Sequence, residues 1–283
     1  MSYGEHIRFC NNYDPARALP LLAGGERVGH VRRDNAAALA PFAGVFAVER
    51  QAVRLLAQGE PGAVSEAVDR VVEALVAAGR IPKWRSETFD VMPRWGMPPM
   101  FRLDRGAVPF FGTRAYGVHV NGYCRKGAEL LLWIGRRAPD KKVDPDKLDN
   151  LVAGGIGSGY GVEETLVKEA EEEAGIAPEL ARRAAPVGAL SYRMETPLGI
   201  RDDVLFAYDL ELPAEFVPQN GDGELVGFTL MPVEEVLERI RTTRDFKFNV
   251  NLIILDFALR HGVLRPQDPE FLEVATGLHR RLD

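Results

Sequence analysis

Residues 153–176, AGGIGSGYGVEETLVKEAEEEAGI, run from a glycine-rich loop straight into an acidic helix-forming segment. Gly154, Gly155, Gly157, Gly159 and Gly161 strip the loop of side-chain bulk, so its backbone can come close to a ligand. Val162, Leu166, Ala170 and Ala174 recur at helical spacing and give the helix one buried stripe, which Gly175 ends. Glu169, Glu172 and Glu173 stand at i, i+3 and i+4, so their side chains leave one helical face. Such an acidic run is most often a solvated face. Here Glu173 borders the buried stripe, and a solvated helix has no need of the glycines before it. Three clustered carboxylates repel one another unless a cation sits among them. A hard divalent ion with oxygen ligands is the natural partner, and Mg²⁺ is commonly held by a few carboxylates plus substrate phosphates.

This stretch resembles the signature box of the Nudix hydrolases: glycine, five residues, glutamate, seven residues, then Arg-Glu-apolar-x-Glu-Glu-x-Gly-apolar. Counted from Gly154, the residues Glu169, Ala170, Glu172, Glu173, Gly175 and Ile176 match. Two positions depart. Tyr160 replaces the first glutamate and removes an acidic group; Lys168 replaces the arginine, keeping its charge but losing the planar fork. The resemblance implies a Nudix α/β/α sandwich with a mixed sheet. It also implies a metal site of Glu169, Glu172 and Glu173 with the backbone carbonyl of Gly154 or Gly155, for Mg²⁺ or Mn²⁺.

At 283 residues the chain is long enough for one large domain or two. A net charge of −6 with no basic tract argues against nucleic acid as partner, though local arginines can still bind a small phosphorylated metabolite. Cys10 and Cys124 lie far apart and outside metal-ligand spacing, as do His6 and His30; two reduced thiols are expected. No apolar run reaches membrane-spanning length, and the start MSYGEHIRF lacks the order of a signal peptide. A cytoplasmic protein is therefore expected. Its oligomeric state is left open, with a homodimer as one possibility.

Residues 1–110 read as a small α+β accessory domain. A strand over 27–31 follows Gly24-Gly25, Asp34 or Asn35 caps a short helix that Pro41 stops, and short strands cover 45–48 and 52–56. An amphipathic helix spans 65–78. The Pro/Met/Trp-rich residues 91–100 read as a linker, or else as a loop lining a site. Residues 111–283 carry the Nudix pattern. A hairpin of 116–124 and 130–135 comes first. Strands over 189–194, 203–212 and 228–231 follow the acidic helix, then helices over 233–240 and 249–261, the first with Pro232 at its N1 position, and a last one within 269–282.

The resemblance extends to one branch of the family, in which an N-terminal domain of this length precedes the Nudix module and relatives occur fused to thiamine pyrophosphokinase. The stretches that carry it are YGVHVNGY at 116–123, KLDNLVAGG at 147–155, SYRME at 191–195, RDDVL at 201–205 and FKFN at 246–249. It implies hydrolysis of thiamine diphosphate, or a damaged analogue, to the monophosphate. The general base implied is Glu169 in some members and a later acidic residue in others, here Glu224 of Asp222-Gly-Glu224, which reads equally well as a turn. Arg193, Arg201 and Lys147 are candidates for gripping phosphate, and Trp95 for walling the leaving-group side. Two other functions stay open: a Nudix pyrophosphatase acting on ADP-ribose or a dinucleotide, and a Nudix module that binds ligand without catalysis.

Overall fold

A computed structural model describes residues 2–82, 87–141, 143–280 and 282. Helix α1 (Tyr3–Cys10) opens with a capping box, Ser2 and Glu5 each bonding the other's backbone N–H. Strands β1 (Ala18–Ala23) and β2 (Glu26–Arg32) form a hairpin followed by helix α2 (Arg33–Leu39). Strands β3 (Phe46–Val48) and β4 (Val53–Leu55) complete a four-stranded sheet in the order β2-β1-β4-β3. Helix α3 (Pro61–Ala77) turns Val64, Val68, Val71, Val72 and Leu75 into a core shared with Leu21, Val31, Leu103 and Phe111. A second hairpin, β5 (Thr88–Val91) with β6 (Phe101–Asp104), leads to the single-turn helix α4 (Val108–Phe111).

Three sequence expectations change here. Asp34 does not cap α2: its two carboxylate oxygens take the Arg32 guanidinium at 2.6 Å each. The Asn35 side chain instead bonds the carbonyls of Phe110 and Leu198 at 3.1 and 2.8 Å. Helix α3 starts a turn before residue 65, because Pro61 already has the helical φ. Residues 92–100 are not an interdomain linker; they join β5 to β6.

The second half is a seven-stranded mixed sheet. Its strands are β7 (Arg114–Lys126), β8 (Glu129–Arg137), β9 (Leu148–Asp149), β10 (Val152–Gly155), β11 (Ala185–Glu195), β12 (Ile200–Glu211) and β13 (Leu225–Pro232). The order is β11-β12-β7-β8-β13, with β10 also on β7 and β9 on β8; only β12 and β7 run parallel. Helix α5 (Val162–Ala174), followed by the short α6 (Pro178–Ala181), covers one face through Leu166 and Ala170, against Val118, Val120 and Val152. Helices α7 (Val233–Thr242), α8 (Val250–Arg260) and α9 (Phe271–Gly277) cover the other, Ile253 and Phe257 packing on Leu132, Tyr192 and Leu205. Pro232 sits one residue before α7 rather than at N1. The architecture is an α/β/α sandwich preceded by a small α+β unit.

Close contacts tie the halves together, two of them as follows. Tyr3, Ile7 and Cys10 of α1 are buried in the core beneath α8 and α9, and His6 Nε2 lies 2.7 Å from the Ile240 carbonyl oxygen. Gly112 sits at φ +60° with its carbonyl accepting the His30 N–H at 3.0 Å. A methyl group on Gly112 would stand 1.9 Å from the His30 oxygen, so only glycine fits.

Candidate active site

Glu173 is buried beneath the glycine strand, where it accepts the Ala153 N–H at 2.7 Å. The hydrophobic stripe of α5 carries it there. Burial pushes its carboxyl well above the usual range; the Ala153 bond opposes this, and the charges of Asp149, Glu169 and Glu224 add to it. Glu169 lies one turn earlier against the same strand. A methyl on Gly154 would come within 2.3 Å of Glu169 Cγ, so the absent side chain of Gly154 is what admits this carboxylate. Burial also raises the Glu169 carboxyl, Lys168 opposes, and Glu172 and Glu224 raise it further.

Glu172 is exposed and bonded by Lys168 Nζ at 2.7 Å, while the same ammonium lies 3.2 Å from Glu169. Among the described residues no three His, Cys, Asp or Glu side chains already converge as a metal cluster. The donor set nonetheless suits a hard cation. A buried and a half-buried carboxylate, both with raised proton affinity, face one strand, Lys168 supplies positive charge beside them, and an exposed ion pair such as Lys168–Glu172 is worth little. Gly154 is corrected as a carbonyl ligand. Ile156 N bonds Tyr116 O across β10 and β7 at 2.9 Å, so by the alternation of an antiparallel ladder the Gly154 carbonyl turns toward β7. The outward carbonyls are those of Ala153 and Gly155.

Glu224 stands at the end of the loop before β13, its carboxylate bonded by Lys141. Burial raises its carboxyl, but Lys141, Arg105 and Arg137 together hold it below the usual range. Its charge reaches both Glu169 and Glu173, which places it in their neighbourhood. Three charged residues of this neighbourhood went unread in the sequence. Buried Asp149 is bonded by Arg137 at 2.6 Å and by Lys247 at 3.3 Å, and these cations outweigh the effect of burial to hold it low. They come from three segments that only the sheet brings together.

The predicted phosphate grips each have a partner within the protein. Arg193 is buried against Asp202 at 2.9 Å, and its guanidinium covers the Tyr13 ring. Arg201 lies 3.5 Å from Asp203 and over Phe248, and Lys147 Nζ bonds the Arg244 carbonyl. Arg193 has Asp202 directly opposite across β11 and β12, whereas Arg201 meets Asp203 two residues on along β12, on the same face. Trp95, in contrast, does reach the second half: its ring centroid lies 4.5 Å from that of Tyr116 and 4.8 Å from that of Phe206. Cys10 and Cys124 are both free and buried, and burial pushes the Cys10 thiol up to about 12.

On the opposite face of β7 a buried polar chain runs through the core. His119 Nδ1 lies 2.8 Å from Asn150 Oδ1, Asn150 Nδ2 donates to Asn121 Oδ1 at 3.0 Å, and Asn121 Nδ2 donates to Asp209 at 3.0 Å. Asp209 orients the two amides, which leaves the His119 Nδ1 as the proton-bearing nitrogen. Burial pushes His119 down to about 4. The unfolded chain, near 6.5, therefore binds this proton more readily, and stability present above pH 6.5 falls as pH drops toward 4, by about 3 kcal/mol in all. Urea unfolding across that range is expected to show the slope in the native protein and to lose it in His119→Gln; equal slopes would show that other groups set it.

Two family models match the chain: a domain of unknown function, DUF4743, over residues 2–115, and the NUDIX domain over residues 115–251. "Nudix hydrolase 24, chloroplastic" of Arabidopsis thaliana is 40% identical over 267 residues, covering 93% of this chain and 72% of that protein. "Nudix hydrolase 20, chloroplastic" of the same plant is 39% identical over 290 residues, covering 98% and 77%. The cytoplasmic expectation is corrected by these two relatives, both named as chloroplastic. No helix among the described residues is long and apolar enough to cross a membrane, but that does not decide a compartment. With an acidic helix behind a glycine strand in an α/β/α sandwich, and relatives of this identity over most of its length, the chain belongs to the Nudix hydrolase family.

Proposed function

We propose that this Nudix diphosphate hydrolase acts on thiamine diphosphate or a damaged analogue and releases the monophosphate. The observation that carries the site is buried Glu173 and half-buried Glu169, one helical turn apart against the glycine strand. The thiamine reading is supported by the branch-like stretches at 116–123, 191–195 and 201–205. Glu169, Glu172 and Glu173, with the outward carbonyls of Ala153 or Gly155, would hold Mg²⁺ or Mn²⁺. Such an ion, when bound, neutralises charge on the diphosphate oxygens.

The chain's own residues then have distinct tasks. Glu173 is immobilised by the Ala153 N–H. Glu169, whose carboxyl is raised by burial, takes a proton from the attacking water more readily near neutral pH than an exposed glutamate would. Water oxygen bonds to phosphorus, the bridging P–O bond breaks, and inorganic phosphate leaves with the monophosphate. Glu224, held low and paired to Lys141, is the weaker base of the two.

A product screen with Mg²⁺ and Mn²⁺ tests the substrate: inorganic phosphate is measured from thiamine diphosphate, and the two phosphomonoester products are measured from ADP-ribose and dinucleotides. Cleavage of ADP-ribose but not of thiamine diphosphate would replace the thiamine reading. For the base, Glu224→Gln is expected to lower turnover by about tenfold or less, and Glu169→Gln by more. The reverse ranking would move the base to Glu224.

A further inference from the structure

The β5–β6 hairpin of the first half is built into the glycine loop. Ser158 N bonds the Thr88 carbonyl at 2.8 Å, and Gly159 N lies 3.4 Å from Asp90 Oδ2. A methyl on Gly155 would stand 2.7 Å from Phe89 Cζ, just as one on Gly154 would meet Glu169. Two consecutive glycines thus separate a carboxylate of the acidic helix from an aromatic ring of the first half, and adjacent Cα atoms are only about 3.8 Å apart. Beside this junction is a small pocket whose walls include Phe89, Met92, Trp95, Tyr116 and Tyr160.

Three observations define what this pocket can hold. Its walls are ring faces and a thioether, and Trp95 and Tyr160 remain 46% and 53% exposed, which is unusual for rings so large unless something else covers them. Asp90 also lines it, and Asp90 Oδ1 is shielded from solvent yet makes no hydrogen bond among the described residues; the nearest cation is Arg102 Nε at 3.6 Å. The glycine loop contributes Ile156 and Gly157 to its lining, directly following the Gly154 that admits Glu169 and the Gly155 that admits Phe89.

We propose that this pocket binds the organic end of the substrate: a flat heteroaromatic ring, stacked between Trp95 and Tyr160, that presents positive charge or N–H donors to Asp90. The diphosphate then extends across the glycine loop to Glu169 and Glu173. The first half of the chain thereby supplies the ring-recognition surface, while the acidic helix supplies the chemistry. This subsite rests on the diphosphate-hydrolase reading of the acidic helix, and direct binding separates the two.

The full-length protein is titrated by calorimetry with thiamine, a cationic heteroaromatic lacking phosphate, with adenosine as a neutral ring, and with inorganic pyrophosphate. Native protein is expected to bind thiamine more tightly than adenosine. Trp95→Ala and Tyr160→Ala are each expected to weaken thiamine by about 5- to 100-fold, the span produced by loss of one stacked ring, without a matching change for pyrophosphate. Trp95→Phe should restore most of the loss, and Asp90→Asn should weaken thiamine while narrowing its advantage over adenosine. Melting curves of the variants exclude misfolding, and Tyr160→Ala, on an exposed loop residue, keeps the test intact if Trp95→Ala unfolds. Thiamine affinity unchanged in both ring variants, or parallel losses for thiamine and pyrophosphate, would overturn the ring subsite. Ring binding as expected without phosphate release from any diphosphate would instead reject the hydrolytic reading and leave the subsite standing.

Discussion

Glu173→Gln is expected to lower turnover by about 10²-fold or more, the loss typical of removing a principal electrostatic contributor. The substitution is nearly isosteric, and the amide oxygen can still accept the Ala153 N–H that Glu173 takes at 2.7 Å. What disappears is a negative charge buried against the glycine strand. Because burial raises the Glu173 carboxyl, its ionised form opposes folding, and that opposition grows as pH rises above the unfolded value of a glutamate. Glutamine removes the opposition, so the variant should melt no lower than the native protein at neutral pH. Phosphate release and a thermal melt, run side by side, check both halves. Undiminished turnover, or native activity in excess chelator, would remove Glu173 from the metal site.

A chain beginning at Phe110 is expected to lose its fold, and with it activity on every diphosphate. From the sequence alone, the second half has its own sheet and acidic helix and should work unaided. The structure changes that expectation, because Tyr3, Ile7 and Cys10 fill the core beneath α8 and α9. Each buried side chain of that size contributes about 1.5–3 kcal/mol, so losing three removes about 4.5–9 kcal/mol, comparable with the roughly 5–15 kcal/mol that holds an ordinary domain together. Truncation also exposes the Phe246 and Leu252 side chains of that core. Ile7→Ala in the full chain should cost about 2–5 kcal/mol by the same reasoning. Size-exclusion chromatography and melting of the shortened chain decide the matter: a monomeric chain that melts like the native protein would show α1 to be dispensable.

The acidic helix was legible because its signals are local. Glycines, an apolar stripe and three glutamates fall within 24 residues, and the structure ends the helix at Gly175 with φ +64°. The longer strands of the mixed sheet, β7, β8, β11, β12 and β13, were legible because they are rich in β-branched and aromatic residues, whereas the short β9 and β10 read as loop. Helix α1 escaped because eight residues give too little periodicity to stand out, and its partners come more than 200 residues later. The four-residue strands β5 and β6 escaped similarly, so residues 92–100 between them looked like a linker. Arg193 and Arg201 illustrate a different limit. Composition identifies a guanidinium, but only strand register reveals that Asp202 stands opposite Arg193, and only the strand alternation of β12 puts Asp203 on the same face as Arg201. Conversely Asp149, Arg137 and Lys247 gather beside Glu173 through pairings no single stretch displays.

The placement of α1 also orders events during synthesis. Residues 3–10 leave the ribosome about 240 residues before the helices that cover them, α8 (Val250–Arg260) and α9 (Phe271–Gly277). At about 5–20 residues per second, the opening helix waits on the order of ten seconds or more for its partners. During that wait the apolar side chains of Tyr3 and Ile7 are exposed, while the four-stranded sheet immediately after them can already close on its own core. Docking of α1 is therefore a late step of assembly, a closure across about 240 residues whose long sequence separation makes it slow.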